Sequence, residues 1–407
     1  MQHWRRHTAI TFVSAGVTAA VLVIFLAIWL HVDQLHIGRS DFTSTYVGGV
    51  LWGEGHHSDL YSAPLQAEVH RQLIAPDQEG NLPFVNPPVV AALAYPLTKL
   101  SLVGAYRVFA LIELGLLVVA VVIAGGFLWS DTTRVNPRLF SALALTAPAV
   151  LVLLLLAQWD SINAIGLAAA YALWRSDKMV WGGAVITIAS LVAKPHLAIG
   201  LALFIFGWRN RRLLSGAGVG ILVILLANFA AAGGVTGLRG FASAVSADAT
   251  SWPLNSLLGF SGLTGSWLGN GTTAYAISLA LSAIALLLCA WLGDRVRRNL
   301  AALPQSLASA TALSLVASPH LLMQDLVVLI PALAWCLVEI ARFEGENWPG
   351  RATFRFVAVG LGLTLCELLD FGNSSASPPG RLVPLALCAV AAAAVFTRPS
   401  TNRVSLA

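Results

Sequence analysis

Asp41 lies within Gly38-Arg39-Ser40-Asp41-Phe42, about ten residues past the first long apolar stretch, in a chain where charge is scarce. A carboxylate so placed could orient a hydroxyl and accept its proton as the hydroxyl attacks an electrophilic carbon. With an ordinary pKa of about 3.9 it would take that proton late, as positive charge builds at the carbon. Two plainer roles are open to it: a surface ion pair with Arg39, or a cap on the segment 42–52, because aspartate is a preferred N-cap. Asp33 and Asp59 are the other carboxylates that could serve as the base.

Three further groups, Lys194, His196 and His320, sit where apolar runs meet, in Val192-Ala193-Lys194-Pro195-His196 and Val316-Ala317-Ser318-Pro319-His320. Together with Arg39 they could converge on a phosphate, lysine as a point charge and histidine as a hydrogen-bond donor or, when protonated, a cation. Cations beside a departing phosphate stabilise charge that develops only as the bond breaks. The plainer alternatives are a lysine that snorkels to the interface, imidazoles satisfied in the core, and two ordinary helix turns. Proline frees backbone groups, however, and at membrane depth these need protein or water to satisfy them, as a cavity would.

The elements that must position these groups follow from composition. Of 407 residues, 57% are hydrophobic and 11% charged, against roughly 25% charge in soluble domains. Mean hydropathy is +0.77. The expectation is an all-α polytopic membrane protein, with about twelve spans given ~20 apolar residues per crossing. The net charge of +5 does not point to nucleic acid, because the basic residues form short clusters between apolar runs, which marks cytoplasmic turns.

Those clusters thread the chain. The expected spans are 8–30, 104–129, 138–157, 161–174, 180–193, 195–208, 213–233, 273–293, 302–316, 321–341, 353–371 and 381–396, with both chain ends inside. The basic amino terminus resembles a signal peptide, but its apolar run is long and no small-x-small site closes it, so it reads as a retained first helix. Asn86-Pro87-Pro88 opens a further helix that Pro96 and Lys99 interrupt, so 89–102 is expected to be interfacial or re-entrant. The chain then forms one transmembrane domain, 1–407. Its first outer loop, 31–103, carries the candidate base, and a second large outer loop covers 234–272.

Other polar residues admit two readings each. Tyr46, Trp52, Tyr61, Trp159, Trp252 and Trp267 either belt the membrane or stack on sugar rings. Gln158, Asn163 and Asn255 either bind hydroxyls or cap helices. The first outer loop crowds His31, His36, His56, His57 and His70 among acids, a conceivable metal site, but no HxxxH or HExxH pair falls within that loop, so neither a metal nor another cofactor is expected. The four cysteines show no CxxC spacing and read as packing residues.

Asp41-Phe42 with Tyr46, Leu60-Tyr61, Asn86-Pro87-Pro88, Ala157-Gln158, Lys194-Pro195-His196 and Ser318-Pro319-His320 with Asp325, in that order, resemble glycosyltransferase family 87, a family of polytopic GT-C enzymes. The resemblance runs from Gly38 to about Pro331. It implies a GT-C-like bundle that transfers a sugar, commonly mannose and in some members arabinofuranose, from a polyprenyl-phosphate donor to a glycolipid or glycan. It also implies a multi-pass protein of a bacterial plasma membrane with its active site on the extracytoplasmic face. The family's catalytic aspartate matches Asp41, its histidine near the donor phosphate His320, and its lysine before proline Lys194. Where the family more usually has glycine before glutamine, this chain has Ala157.

From these residues we expect an inverting displacement with Asp41 as general base, Lys194, His196, His320 and Arg39 at the donor phosphate, and Tyr46, Tyr61, Gln158 and Asn255 as sugar or acceptor contacts. Two rival readings remain. One is a transporter or flippase of lipid-linked sugars, which would need polar residues through the bundle. The other is a noncatalytic glycan-binding subunit.

Overall fold

In a bilayer every backbone N–H and C=O must be paired internally, so long apolar segments have little choice but helix. A computed structural model describes residues 2–74, 82–126, 145–192, 194–248, 251–344, 350–372 and 381–396, and all regular structure among them is helical. Six of the described helices are long and apolar enough to cross a membrane, among them Leu102–Gly126, Arg211–Ala231 and Thr272–Arg298. The shorter Met179–Val192, Pro195–Trp208 and Val383–Val395 segments are also apolar. The chain is an all-α polytopic membrane protein. A helix stands at every expected span; residues 127–129 of the span 104–129, 138–144 of 138–157 and 193 of 180–193 lie outside the described residues.

Lipid is as apolar as leucine, so membrane helices associate through close packing, which favours small residues at the contact. Met179–Val192 packs on Arg211–Ala231, where a Cβ at Gly216 would collide with the Val180 carbonyl oxygen and one at Gly183 with that of Leu213. The pairing of Ile199–Trp208 with Thr272–Arg298 repeats the arrangement. There Gly207 faces the Ala290 carbonyl and Gly293 that of Phe204.

Proline also shapes two segments expected to be plain helices. The span expected at 321–341 begins as a tight 3-10 segment, Met323–Leu329, and becomes α-helical only at Ile330–Glu344. Pro331 supplies the reason, since its ring clashes with the preceding turn and leaves no N–H to continue the ladder. Pro195–Ala198 is likewise a 3-10 turn before Ile199–Trp208.

The segment after the first helix folds into short helices, Gln34–Gly38, Asp41–Gly53, Ala63–Ile74 and Pro88–Ala94, around an apolar cluster that includes Ile37, Phe42, Val47, Leu51, Leu60, Phe84 and Val90. Pro88–Ala94 followed by the 3-10 turn Tyr95–Lys99 is too short to cross, in keeping with its interrupted sequence. This cluster joins the bundle through Ala157, Trp159, Val192 and Ile224, while a larger core fills the bundle itself. The second expected loop is also partly helical, with Val235–Asp248 and Phe260–Leu268.

Candidate active site

Asp41 is the first residue of helix Asp41–Gly53, with Ser40 in the N-cap position, so its side chain is not the cap. It meets the bundle instead: the Gln158 amide donates a hydrogen bond to the Asp41 carboxylate. Local backbone geometry aims that amide. Helix Pro148–Leu156 ends on Ala157 in the left-handed region, φ 49° and ψ 67°, and the chain reverses there before Asp160–Arg175 begins. This conformation favours glycine, which accounts physically for glycine's suitability before the glutamine, and Ala157 adopts it while fully buried. Trp159 fixes the same turn, its indole N–H donating to Thr45 Oγ1 at 3.3 Å.

Lys194 lies between the two helices that its proline separates. Its ammonium donates to Asp160 Oδ2 at 3.0 Å and to Asp325 Oδ1 at 2.6 Å. The lysine side chain is 13% exposed and the two carboxylates 0% and 1%. Burial opposes the charged form of Lys194, but the two carboxylates more than offset it and hold the ammonium above the usual lysine range. Asp325 also accepts the Leu322 N–H at 2.6 Å, which closes the turn that carries His320.

The two Pro-His junctions come together. The rings of His196 and His320 stack with centroids 6.0 Å apart, and Trp252 lies 5.1 Å from His320 on a tilted face. Trp252 is anchored in turn by its N–H to Asp248 Oδ1 at 3.3 Å. Burial holds His320 below the ordinary imidazole range against the pull of Asp325 and Asp248. Asp41 feels the same groups. Burial pushes its carboxyl up, opposed by Lys194, by the Gln158 hydrogen bond and by His320. Thus Asp41, Gln158, Lys194, His196 and His320 occupy one neighbourhood at one end of the bundle.

The remaining expected contacts fall elsewhere. Tyr46 is 6% exposed and donates to the Leu100 carbonyl at 2.8 Å, and Trp159 is 7% exposed. Both are packing residues of the first-loop cluster rather than belt or sugar-stacking aromatics, because helix Asp41–Gly53 turns that face onto the bundle. The Tyr61 hydroxyl donates to Asn86 O at 2.6 Å and its ring stacks on Phe84, so it ties the loop together. Asn255 lies in the turn Leu254–Ser256, where its carbonyl receives the Arg381 guanidinium and its N–H donates to Asn270. Arg39 is exposed at the C-cap of Gln34–Gly38. Asn163 is buried inside Asp160–Arg175.

The first-loop histidines do not assemble. His36 pairs with Asp33 at 2.7 Å, while His57 and His70 contact the Trp52 and Gly38 carbonyls. No group of three or more potential metal ligands occurs among the described residues. Asp160 and Asp248 belong to none of the sequence motifs above. A signal was present, for an acid at the end of a membrane helix needs a named cationic partner.

An apolar cavity of about 300 Å³ lies between the first helix, Leu102–Gly126 and Pro148–Leu156, lined by Leu22, Phe25, Trp29, Tyr106, Leu111 and Leu155 among others. The ring of Tyr106 also meets that of Phe42, the residue after Asp41, edge-on at 5.8 Å.

The family model of glycosyltransferase family 87 matches residues 84–319. The matched segment contains Gln158, Asp160, Lys194 and His196; Asp41 precedes it and His320 follows it by one residue. No curated protein and no solved structure matches the chain.

Proposed function

The chain belongs to glycosyltransferase family 87 and is a membrane glycosyltransferase, and from that premise we propose that it transfers a sugar, mannose in the first instance, from a polyprenyl-phosphate donor to a glycolipid or glycan acceptor. The observation that carries this reading is the meeting of Asp41, held by Gln158, with Lys194 and His320 in one neighbourhood. The acceptor hydroxyl oxygen forms a bond to the anomeric carbon and gives its proton to the Asp41 carboxylate. The bond from that carbon to the donor phosphate breaks, and its electron pair leaves on the phosphate oxygen. A single base and no covalent intermediate make the displacement inverting.

The imidazoles of His320 and His196 supply donors for the leaving phosphate. A neutral His320 gives a hydrogen bond and takes on charge only by binding a proton. The apolar cavity that reaches Phe42 through Tyr106 supports a donor carried on a long hydrocarbon, whose tail would lie there while the headgroup faces Asp41. Basic clusters at the opposite helix ends, such as Arg295, Arg297 and Arg298, favour a cytoplasmic orientation for those ends and therefore an extracytoplasmic site in a bacterial plasma membrane.

The test supplies radiolabelled polyprenyl-phosphate sugars and glycolipid acceptors to the purified protein and its Asp41→Asn variant. Loss of a general base lowers turnover about 10²- to 10⁴-fold, and EDTA leaves the wild-type rate unchanged. Turnover by Asp41→Asn at the wild-type rate would reject the assignment. Loss of activity in EDTA would reject the metal-independent step.

A further inference from the structure

Lysine beside a proposed phosphate pocket invites assignment to the phosphate, but Lys194 already has two acceptors, both almost fully buried. An ammonium between two carboxylates carries no surplus positive charge, since the three groups together are net negative when ionised. Each of the three also belongs to a different junction. Asp160 is two residues after Gln158, Lys194 two before His196, and Asp325 five after His320. Further bonds brace the same frame. Asp325 accepts the Leu322 N–H, and the Leu321 carbonyl accepts the Leu258 N–H at 2.8 Å. Ser314 Oγ donates to the Leu197 carbonyl at 2.6 Å.

We propose that Asp160, Lys194 and Asp325 form a buried charge lock that positions Gln158, His196 and His320, with Asp160 and Asp325 as positioning residues and the Lys194 ammonium committed to them rather than to the donor phosphate. Asp160 sets the turn from which Gln158 reaches Asp41, and Asp325 sets the turn from which His320 faces it. Low dielectric makes such a lock stiff. It also makes it intolerant of partial removal, since taking one partner from a buried ionic group leaves an uncompensated charge, whereas replacing all partners together is often tolerated.

The catalytic half of this inference rests on the glycosyltransferase reading above. In Asp160→Asn, Lys194 keeps Asp325 and the pair is neutral. The lock then predicts a kcat lower by about 10- to 100-fold, as a misplacement of an ångström can cause, with donor KM within about threefold of wild type. A phosphate-binding Lys194 predicts the opposite for KM, which would fall as one competing carboxylate is removed. The neutral triple variant Asp160→Asn, Lys194→Met, Asp325→Asn extends the comparison: a rise in donor KM above about tenfold, with kcat retained, is the signature of a lost phosphate ligand. Either KM result, or wild-type kinetics in Asp160→Asn, overturns the proposal.

Thermal unfolding provides a measurement independent of turnover. Lys194→Met alone strands two buried carboxylates and should unfold at a lower temperature than the triple variant. A triple variant that is less stable than Lys194→Met, or that fails to fold where Lys194→Met folds, overturns the lock. If the wild type transfers none of the sugars supplied, the functional reading fails while the thermal comparison still decides whether the three charges act as one unit.

Discussion

Gln158 offers the sharpest way to test the acid, because its effect on Asp41 has a definite sign. The amide donates to the carboxylate and so favours its ionised form, opposing the burial that raises the Asp41 pKa. A hydrogen bond to a charged group contributes about 1.5 to 3 kcal/mol. Its removal withdraws that support from the ionised form and so raises the Asp41 pKa further. Gln158→Leu keeps most of the side-chain volume and loses the donor. The assay is kcat/KM for sugar transfer against pH, which reports the free enzyme's titration. A base must be ionised, so the wild-type acid limb should lie above the ordinary aspartate range and move further up in the variant, while the plateau at high pH falls less than the rate near neutrality. An acid limb that stays in place, or moves to lower pH, would refute the assignment of Asp41 as the base held by Gln158.

Other consequences can be measured on the protein without turnover. Asp41 is harder to ionise folded than unfolded, so its charge costs stability increasingly as pH rises above about 3.9. Asp41→Asn should therefore raise the thermal midpoint at pH 7, with the gain vanishing near pH 4, and a loss of stability at pH 7 would contradict the burial effect. Ala157→Val places a β-branched residue at φ 49° and should cost about 1 to 2 kcal/mol, whereas Ala157→Gly should be tolerated; thermal unfolding of the pair checks this. Gly293→Val drives a side chain into the Phe204 carbonyl and should destabilise by about 1 to 3 kcal/mol or more, seen as a lower midpoint in detergent.

Much of the architecture was legible because it depends on local properties. The apolar runs and their basic flanks located the helices, and Pro96 with Lys99 marked Pro88–Ala94 as too short to cross. The chain order of Asp41, Gln158, Lys194 and His320 was legible too, through resemblance, but their meeting in one place is tertiary. Lys194 shows the limit best. In sequence it is an unaccompanied cation between apolar runs, and its partners are separated from it by 34 and 131 positions. Tyr46 and Trp159 show a second limit. An aromatic near a membrane boundary looks the same in sequence whether it faces lipid or a protein core, and only the fold of the first loop over the bundle buries them.

That fold gives the two sides of the reactive gap different foundations. Phe42, next to Asp41, is rooted in the smaller apolar cluster, whereas Leu197, Leu321 and Met323, around the histidine turns, belong to the larger one. The proposed site thus draws on two apolar clusters, and Ala157, Trp159, Val192 and Ile224 extend the smaller one onto the bundle helices. Under the proposed mechanism, thickening or thinning one of these apolar side chains would shift acid against imidazole without altering a single polar atom, which makes greasy positions a route for tuning the rate.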